Sequence, residues 1–181
     1  MDLARDLFFA QQALTALFSV TNKLQMQGDK YLGDLTIRQM LAIPAIIHAP
    51  NRNATVNHIA RQLGTTKQSA KQIVDAMEKK KYVSVSPNEL DKRAVNVTVT
   101  PEGERAFRVC SERTDVFLAD IFHEFTTEDL ETLCVLFSKL YRFDGVGQDN
   151  FKENVSHHAD NADMILRHHQ SYMKRRTKTH E

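Results

Sequence analysis

Residues 55–100 carry the most restrictive pattern in this chain: two short helical periods joined at a glycine, then a switch to strand alternation. Val56, Ile59, Ala60 and Leu63 stand at i, i+3, i+4 and i+7, one face of a short helix that Thr55 is placed to cap. Gly64 supplies the turn, because glycine accepts positive φ just past a helix end. Thr65 or Thr66 caps the following helix, whose apolar face is Ala70, Ile73, Val74 and Met77 at the same spacing. Two short helices at a tight glycine turn predict a helix-turn-helix. After Lys81 the period drops to two: Val83 and Val85 alternate with serines, and Val95, Val97 and Val99 alternate with Asn96, Thr98 and Thr100. The polar run 87–92 between them is rich in turn formers, so a β-hairpin with a basic tip follows the helices.

The outer face of the second helix carries Lys67, Gln68, Lys71 and Gln72, with Ser69 beside them. Glutamine can pair bidentately with adenine, and lysine can reach guanine or a phosphate. Ser69 and Thr66 are short enough for close contact. The N-terminal ends of both helices, at Thr55 and Thr66, offer free backbone donors to phosphates. Charge points the same way. The 181-residue chain has a formal net charge of only +1, yet residues 52–93 hold nine Lys/Arg against four acids. A locally basic unit in a near-neutral chain suits a polyanion. A solvated helix surface would look similar, so charge alone does not decide.

The flanks are helical. Leu3, Leu7, Ala10, Leu14, Leu17, Thr21 and Leu24 step by four and three, a heptad seam over a helix to about residue 27. Such a seam needs a partner, either another helix of the chain or a second copy. Gly28 and Gly33 are expected to break the pattern. Thr36 caps a second helix with Ile37, Leu41 and Ile47 among its apolar positions, and Pro44 should kink it or start a new turn. Thr100-Pro101 starts another helix, running to about residue 125 with Cys110, Phe117, Ile121 and Phe122 on its apolar side. Thr126 and Asp129 form a variant capping box before Leu130, Leu133, Cys134, Phe137, Leu140 and Tyr141. Phe18, Phe117 and Phe122 are read as core. Beyond residue 150 one more helix is expected, followed by a basic end.

The order of these elements resembles the MarR family of bacterial transcription regulators. The matching residues are Leu35-Thr36-Ile37-Arg38-Gln39, Ile59-Ala60-Arg61-Gln62-Leu63-Gly64, Lys79-Lys80-Lys81-Tyr82-Val83, Asp91-Lys92-Arg93 and Thr100-Pro101-Glu102-Gly103. The likeness covers roughly residues 3–143. It implies a mainly α fold with a small β-hairpin wing, in which a winged helix-turn-helix joins interlocking N- and C-terminal dimerisation helices. The implied division is 1–34 for the N-terminal dimerisation helix, 35–100 for the DNA-binding lobe and 101–149 for the C-terminal dimerisation helices. Residues 150–181 form an extra tail that the family does not explain. The dimer contacts then fall on Leu3, Leu7, Leu14, Leu17, Phe137 and Leu140. The wing implied by the resemblance sends Arg93 into the minor groove, with Lys92 beside it and Asp91 supporting Arg93 through an ion pair. Partners implied are double-stranded DNA, a second copy and a small aromatic or phenolic effector between dimer helices and lobe. The expected function is repression from a near-palindromic operator, with activation by the same contact as the alternative.

Other classes find little support. No Ser/His/Asp order, Gly-rich phosphate loop or HExxH motif is present, so an enzyme is not expected, and no cofactor is implied. No apolar run approaches the roughly 18 residues that span a bilayer. The opening Met1-Asp2-Leu3-Ala4-Arg5-Asp6 lacks a signal-peptide layout, so a cytoplasmic location is expected. Cys110 and Cys134 form no CxxC and are expected to be small buried hydrophobes, with a redox switch as the alternative. Five of eight histidines (His157, His158, His168, His169 and His180) lie in the tail, which keeps a metal-responsive regulator of the same fold as a variant. A winged helix that binds protein instead of DNA is the third alternative.

Overall fold

The computed structural model describes residues 3–88 and 94–145, together with Gln170 and Tyr172, which are both helical. The order is α1 (Leu3–Leu32), α2 (Ile37–Ile47), a tight turn at Pro50–Arg52, α3 (Val56–Gln62), α4 (Lys67–Lys79), β1 (Val83–Pro87), β2 (Val95–Val99), α5 (Pro101–Ile121) and α6 (Thr127–Tyr141). The two strands pair antiparallel, with Val83 opposite Val99 and Pro87 opposite Val95.

The core lies in the lobe built from α2 to β2. Ile43, Ile59, Val74, Met77, Val83 and Val97 are buried together with Leu32 and Leu35. Each of these side chains contributes about 1.5–3 kcal/mol by leaving water. The helical and strand periods therefore converge on one cluster. Val56, Ile59 and Ala60 of α3 and Ala70, Ile73, Val74 and Met77 of α4 all point into it, as their spacing requires.

Polar caps fix where the helices begin. The Thr36, Thr55, Thr66, Thr100 and Thr126 hydroxyls each accept the backbone N–H three residues on. At Thr36 and Thr126 the bond is reciprocal, with Gln39 and Asp129 returning to the cap N–H. That hydrogen bond also holds the exposed Asp129 carboxyl below its usual range. Thr66→Ala should cost about 1 kcal/mol of stability, read from a urea melt; an unchanged midpoint would mean that solvent serves the Ser69 N–H equally well.

Several sequence expectations need correction. Gly28 does not break α1, which runs on to Leu32. It is buried, and a Cβ there would collide with the Ile37 side chain and approach Phe117 at 3.1 Å. Its role is close approach between helices. Gly33, at φ 73°, ends the helix instead. Pro44 lies inside α2 without ending it, and His48 N–H bonds to the Pro44 carbonyl at 2.9 Å. Leu41 and Ile47 are exposed, while Gln39, Ala42, Ile43 and Ile46 are the buried positions of α2. α5 stops at Ile121 instead of near residue 125, because Phe122 leaves helical geometry as the C-cap. Phe18 is exposed, so it is not core; Phe117 is buried, and Phe122 is half-buried, edge-on to Phe125.

Outside the lobe, α1 and α6 have little cover. Leu3, Leu7 and Leu14 lie in the open, and α6 has no buried residue. Cys134 on α6 is therefore exposed, against the expectation of a buried thiol, whereas Cys110 on α5 is buried. Burial pushes the Cys110 thiol above its usual range, which suits packing and not redox chemistry. Among the described residues no helix is long and apolar enough to cross a membrane, and no group of three or more metal-ligating side chains comes together. The tail histidines named above lie outside the described residues.

Candidate nucleic-acid interface

The interface is organised by the turn between α3 and α4. Gly64 sits there at φ 57°, and Thr65 N–H closes back onto the Ala60 carbonyl at 2.9 Å. Thr66 then starts α4 with its side chain committed to Ser69 N–H at 3.1 Å. Because Ala70, Ile73, Val74 and Met77 are buried, the opposite side of α4 must face out. Lys67, Gln68, Lys71 and Gln72 are all exposed on that side.

These side chains are not equivalent. Lys71 Nζ is 2.7 Å from Asp75 Oδ2, one turn along the helix, in an exposed pair. Its charge is shared before any partner arrives. Ser69 is half-buried, and its hydroxyl accepts from Arg38 Nη1 at 3.3 Å. Thr55 is spent as a cap, its hydroxyl accepting His58 N–H at 3.1 Å. His58 in turn places Nε2 3.1 Å from the Ala45 carbonyl, tying α3 to α2. Burial, with a smaller push from Arg61, holds the His58 imidazole below its usual range, against the opposing effect of that hydrogen bond. Lys92, Arg93 and Asp91 fall outside the described residues.

The base of the wing is rigidly keyed to its neighbours. Tyr82 carbonyl accepts Thr100 N–H at 3.0 Å, and Thr100 Oγ1 donates to the Lys81 carbonyl at 2.6 Å. Further out, Val97 N–H bonds to the Ala54 carbonyl at 2.9 Å, and the Asn88 side chain donates to that of Asn53. The hairpin is thus held both to α5 and to the segment before α3.

Above the lobe, α1, α2, α5, α6 and the Gly64 turn enclose a cleft of about 550 Å³. Its walls include Leu24, Ile37, Leu41, Phe117 and Phe137, and Arg38 is the one charged residue of the described lining. Leu17 and Phe137, both assigned to dimer contacts by sequence, meet here, whereas Leu3, Leu7, Leu14 and Leu140 face solvent. Sequence reasoning missed Arg38. A lone basic residue on the first turn of a helix carries no periodic signal, and its importance depends on where α4 passes.

An exposed Lys/Gln helix, laid on a buried back and followed by an anchored hairpin, defines a winged helix-turn-helix fold. Comparison with known proteins agrees. Residues 33–94 match the MarR family. The transcriptional activatory protein BadR of Rhodopseudomonas palustris is 26% identical over 134 residues, covering 72% of this chain and 73% of its own length. A mutant of the E. coli regulator MarR, solved with operator DNA, superposes with a TM-score of 0.63 at 22% identity, covering 70% of this chain and 91% of its own. A MarR/EmrR family regulator from Acinetobacter sp. ADP1 gives a TM-score of 0.65 at 22% identity over 76% and 98% of the two chains. The S. aureus MepR–DNA complex gives 0.62 at 19% identity over 70% and 95%. The likeness to MarR-family regulators thus rests on residues 33–94 and on the shared fold. The chain's relatives named above are regulators and not enzymes.

Proposed function

We propose that this protein is a sequence-specific DNA-binding regulator that works in the cytoplasm as a homodimer on a near-palindromic operator. The observation that carries the reading is the face of α4: four exposed Lys and Gln side chains in consecutive turns, on a helix whose other side is fully committed to the core. DNA-bound MarR and MepR share the fold, which supports the same use of it here. Gln68 and Gln72 read base edges, while Lys67 and Lys71 reach guanine or phosphate. Lys71 must leave or share Asp75 to do so. Residues 35–100 form the reading lobe in this account, and 1–34 with 101–149 hold two copies together. Two α4 helices would then lie about one DNA turn, roughly 34–36 Å, apart.

Repression by occlusion is the direct consequence of a dimer lying across a promoter. BadR carries an activator's name, and a reporter assay with and without this protein separates the two directions. The effector site is the apolar cleft, which touches the dimer helices and the Gly64 turn at once. A small apolar molecule bound there would shift the population of lobe spacings, and DNA affinity with it.

The experiment is selection of bound duplexes from a random pool, followed by anisotropy titrations on the enriched sequence. Gln68→Ala or Gln72→Ala should lose about 1–3 kcal/mol on that sequence and relax preference at one base position. Arg93→Ala should weaken binding without unfolding the protein, since a wing arginine serves the minor groove. Enrichment of no sequence at all would sink the proposal. Equal affinity of Arg93→Ala and wild type at matched salt would remove the wing from it.

A further inference from the structure

We propose that Arg52, at the root of the wing, is an additional DNA-phosphate contact, placed there by a strained turn that the wing itself holds. This rests on the DNA-binding reading above. Asn51 and Arg52 both have φ of 55°. The left-handed region is uncommon for residues other than glycine, and two in succession store strain that the surroundings must hold. Four bonds hold it. Arg52 N–H reaches the Ala49 carbonyl at 3.0 Å, and Asn53 N–H the Pro50 carbonyl at 3.0 Å. The Asn53 side chain accepts from Asn88, which is buried although polar, and the Ala54 carbonyl accepts Val97 N–H. The last two bonds belong to the hairpin. The turn is therefore tied to the hairpin.

A part-buried amide pair and two left-handed residues are an expensive way to build a plain connection between α2 and α3. They serve to aim what the turn carries. Arg52 is exposed, and no described residue takes its guanidinium. It stands one residue from the Asn53–Asn88 clamp, at the start of the segment 52–93 with its nine Lys/Arg against four acids. A guanidinium fits a phosphate bidentately, and a turn locked to the wing keeps it in fixed register with whatever the wing straddles. Neither α4 nor the hairpin pattern flags it, because the signal is a backbone conformation.

The test is a salt series with a labelled random-sequence duplex, since a phosphate contact needs no operator. For the wild type, log K should fall linearly with log of the KCl concentration. Arg52→Ala should flatten that slope by about one counterion per protomer and weaken binding equally on all sequences. Arg52→Gly should do the same while keeping the turn, because glycine adopts φ 55° without strain. Arg52→Lys should retain the wild-type slope. If wild type binds but the Ala and Gly variants match its slope, or if the Lys variant loses slope as Ala does, this contact is overturned and the DNA-binding reading stands. If wild type binds no duplex at low salt, both fall.

Discussion

Gly103→Ala should destabilise the protein by about 3 kcal/mol, although a view confined to helix propensity expects the reverse. Gly103 is the third residue of α5, and alanine is favoured over glycine inside a helix by about 1 kcal/mol. A Cβ there, however, would drive into the carbonyl oxygen of Tyr82, and would also meet Tyr82 C at 2.9 Å and Val99 Cγ1 at 3.0 Å. The obstacle is backbone, so no rotamer change clears it. That carbonyl is also fixed, since it accepts Thr100 N–H, and Thr100 Oγ1 both donates to Lys81 O and accepts Gly103 N–H at 3.1 Å. Relief requires α5 to lift off the start of β1. Overpacking costs about 1–3 kcal/mol and each lost hydrogen bond about 1 more, which outweighs the propensity gain. For a chain of this size the melting temperature should drop by roughly 6–12 °C. A melting temperature at or above wild type would show that the first turn of α5 can move freely. DNA affinity should fall with stability, since this junction sets the wing against α5.

The same junction shows what could be read in advance. Thr100-Pro101 announced a helix start because capping is a rule of neighbours in sequence. Gly64, the faces of α3 and α4, and the hairpin alternation were legible for the same reason: each depends on spacings of eight residues or fewer. Gly28 was misread because its meaning is tertiary. Nothing near it in sequence reports that Ile37 and Phe117 will pack against its Cα. Arg38 and Arg52 were passed over on similar grounds. Arg38 matters because α4 brings Ser69 to it, and Arg52 because the wing clamps its turn. Cys134 was assigned to a buried side from an amphipathic pattern, but an apolar stripe states only that burial is needed. It does not say which chain supplies the cover.

That open question sets the second large expected effect: Leu7→Glu combined with Leu14→Glu should convert the proposed dimer into a monomer and lower operator affinity by about 100-fold or more. Leu7 is 61% exposed, Leu136 56% and Leu140 51%, on two helices with amphipathic sequences. Large apolar side chains exposed in rows are costly in water, and they mark an interaction surface when they adjoin one another. In a two-fold dimer every contact occurs twice, so each leucine buried at about 1.5–3 kcal/mol counts double, and each glutamate would bury a charge twice. The folded lobe does not depend on these positions, since neither Leu7 nor Leu14 belongs to its core. Helix content by circular dichroism should therefore stay close to wild type while the sedimenting mass halves. Affinity should follow, because two lobes on one dimer bind the second half-site at high effective concentration and a lone lobe cannot. A variant that still sediments as a dimer would move the interface away from α1. A monomer that binds the operator as tightly as wild type would mean that one lobe is the whole reader, and the expectation of a near-palindrome would go with it.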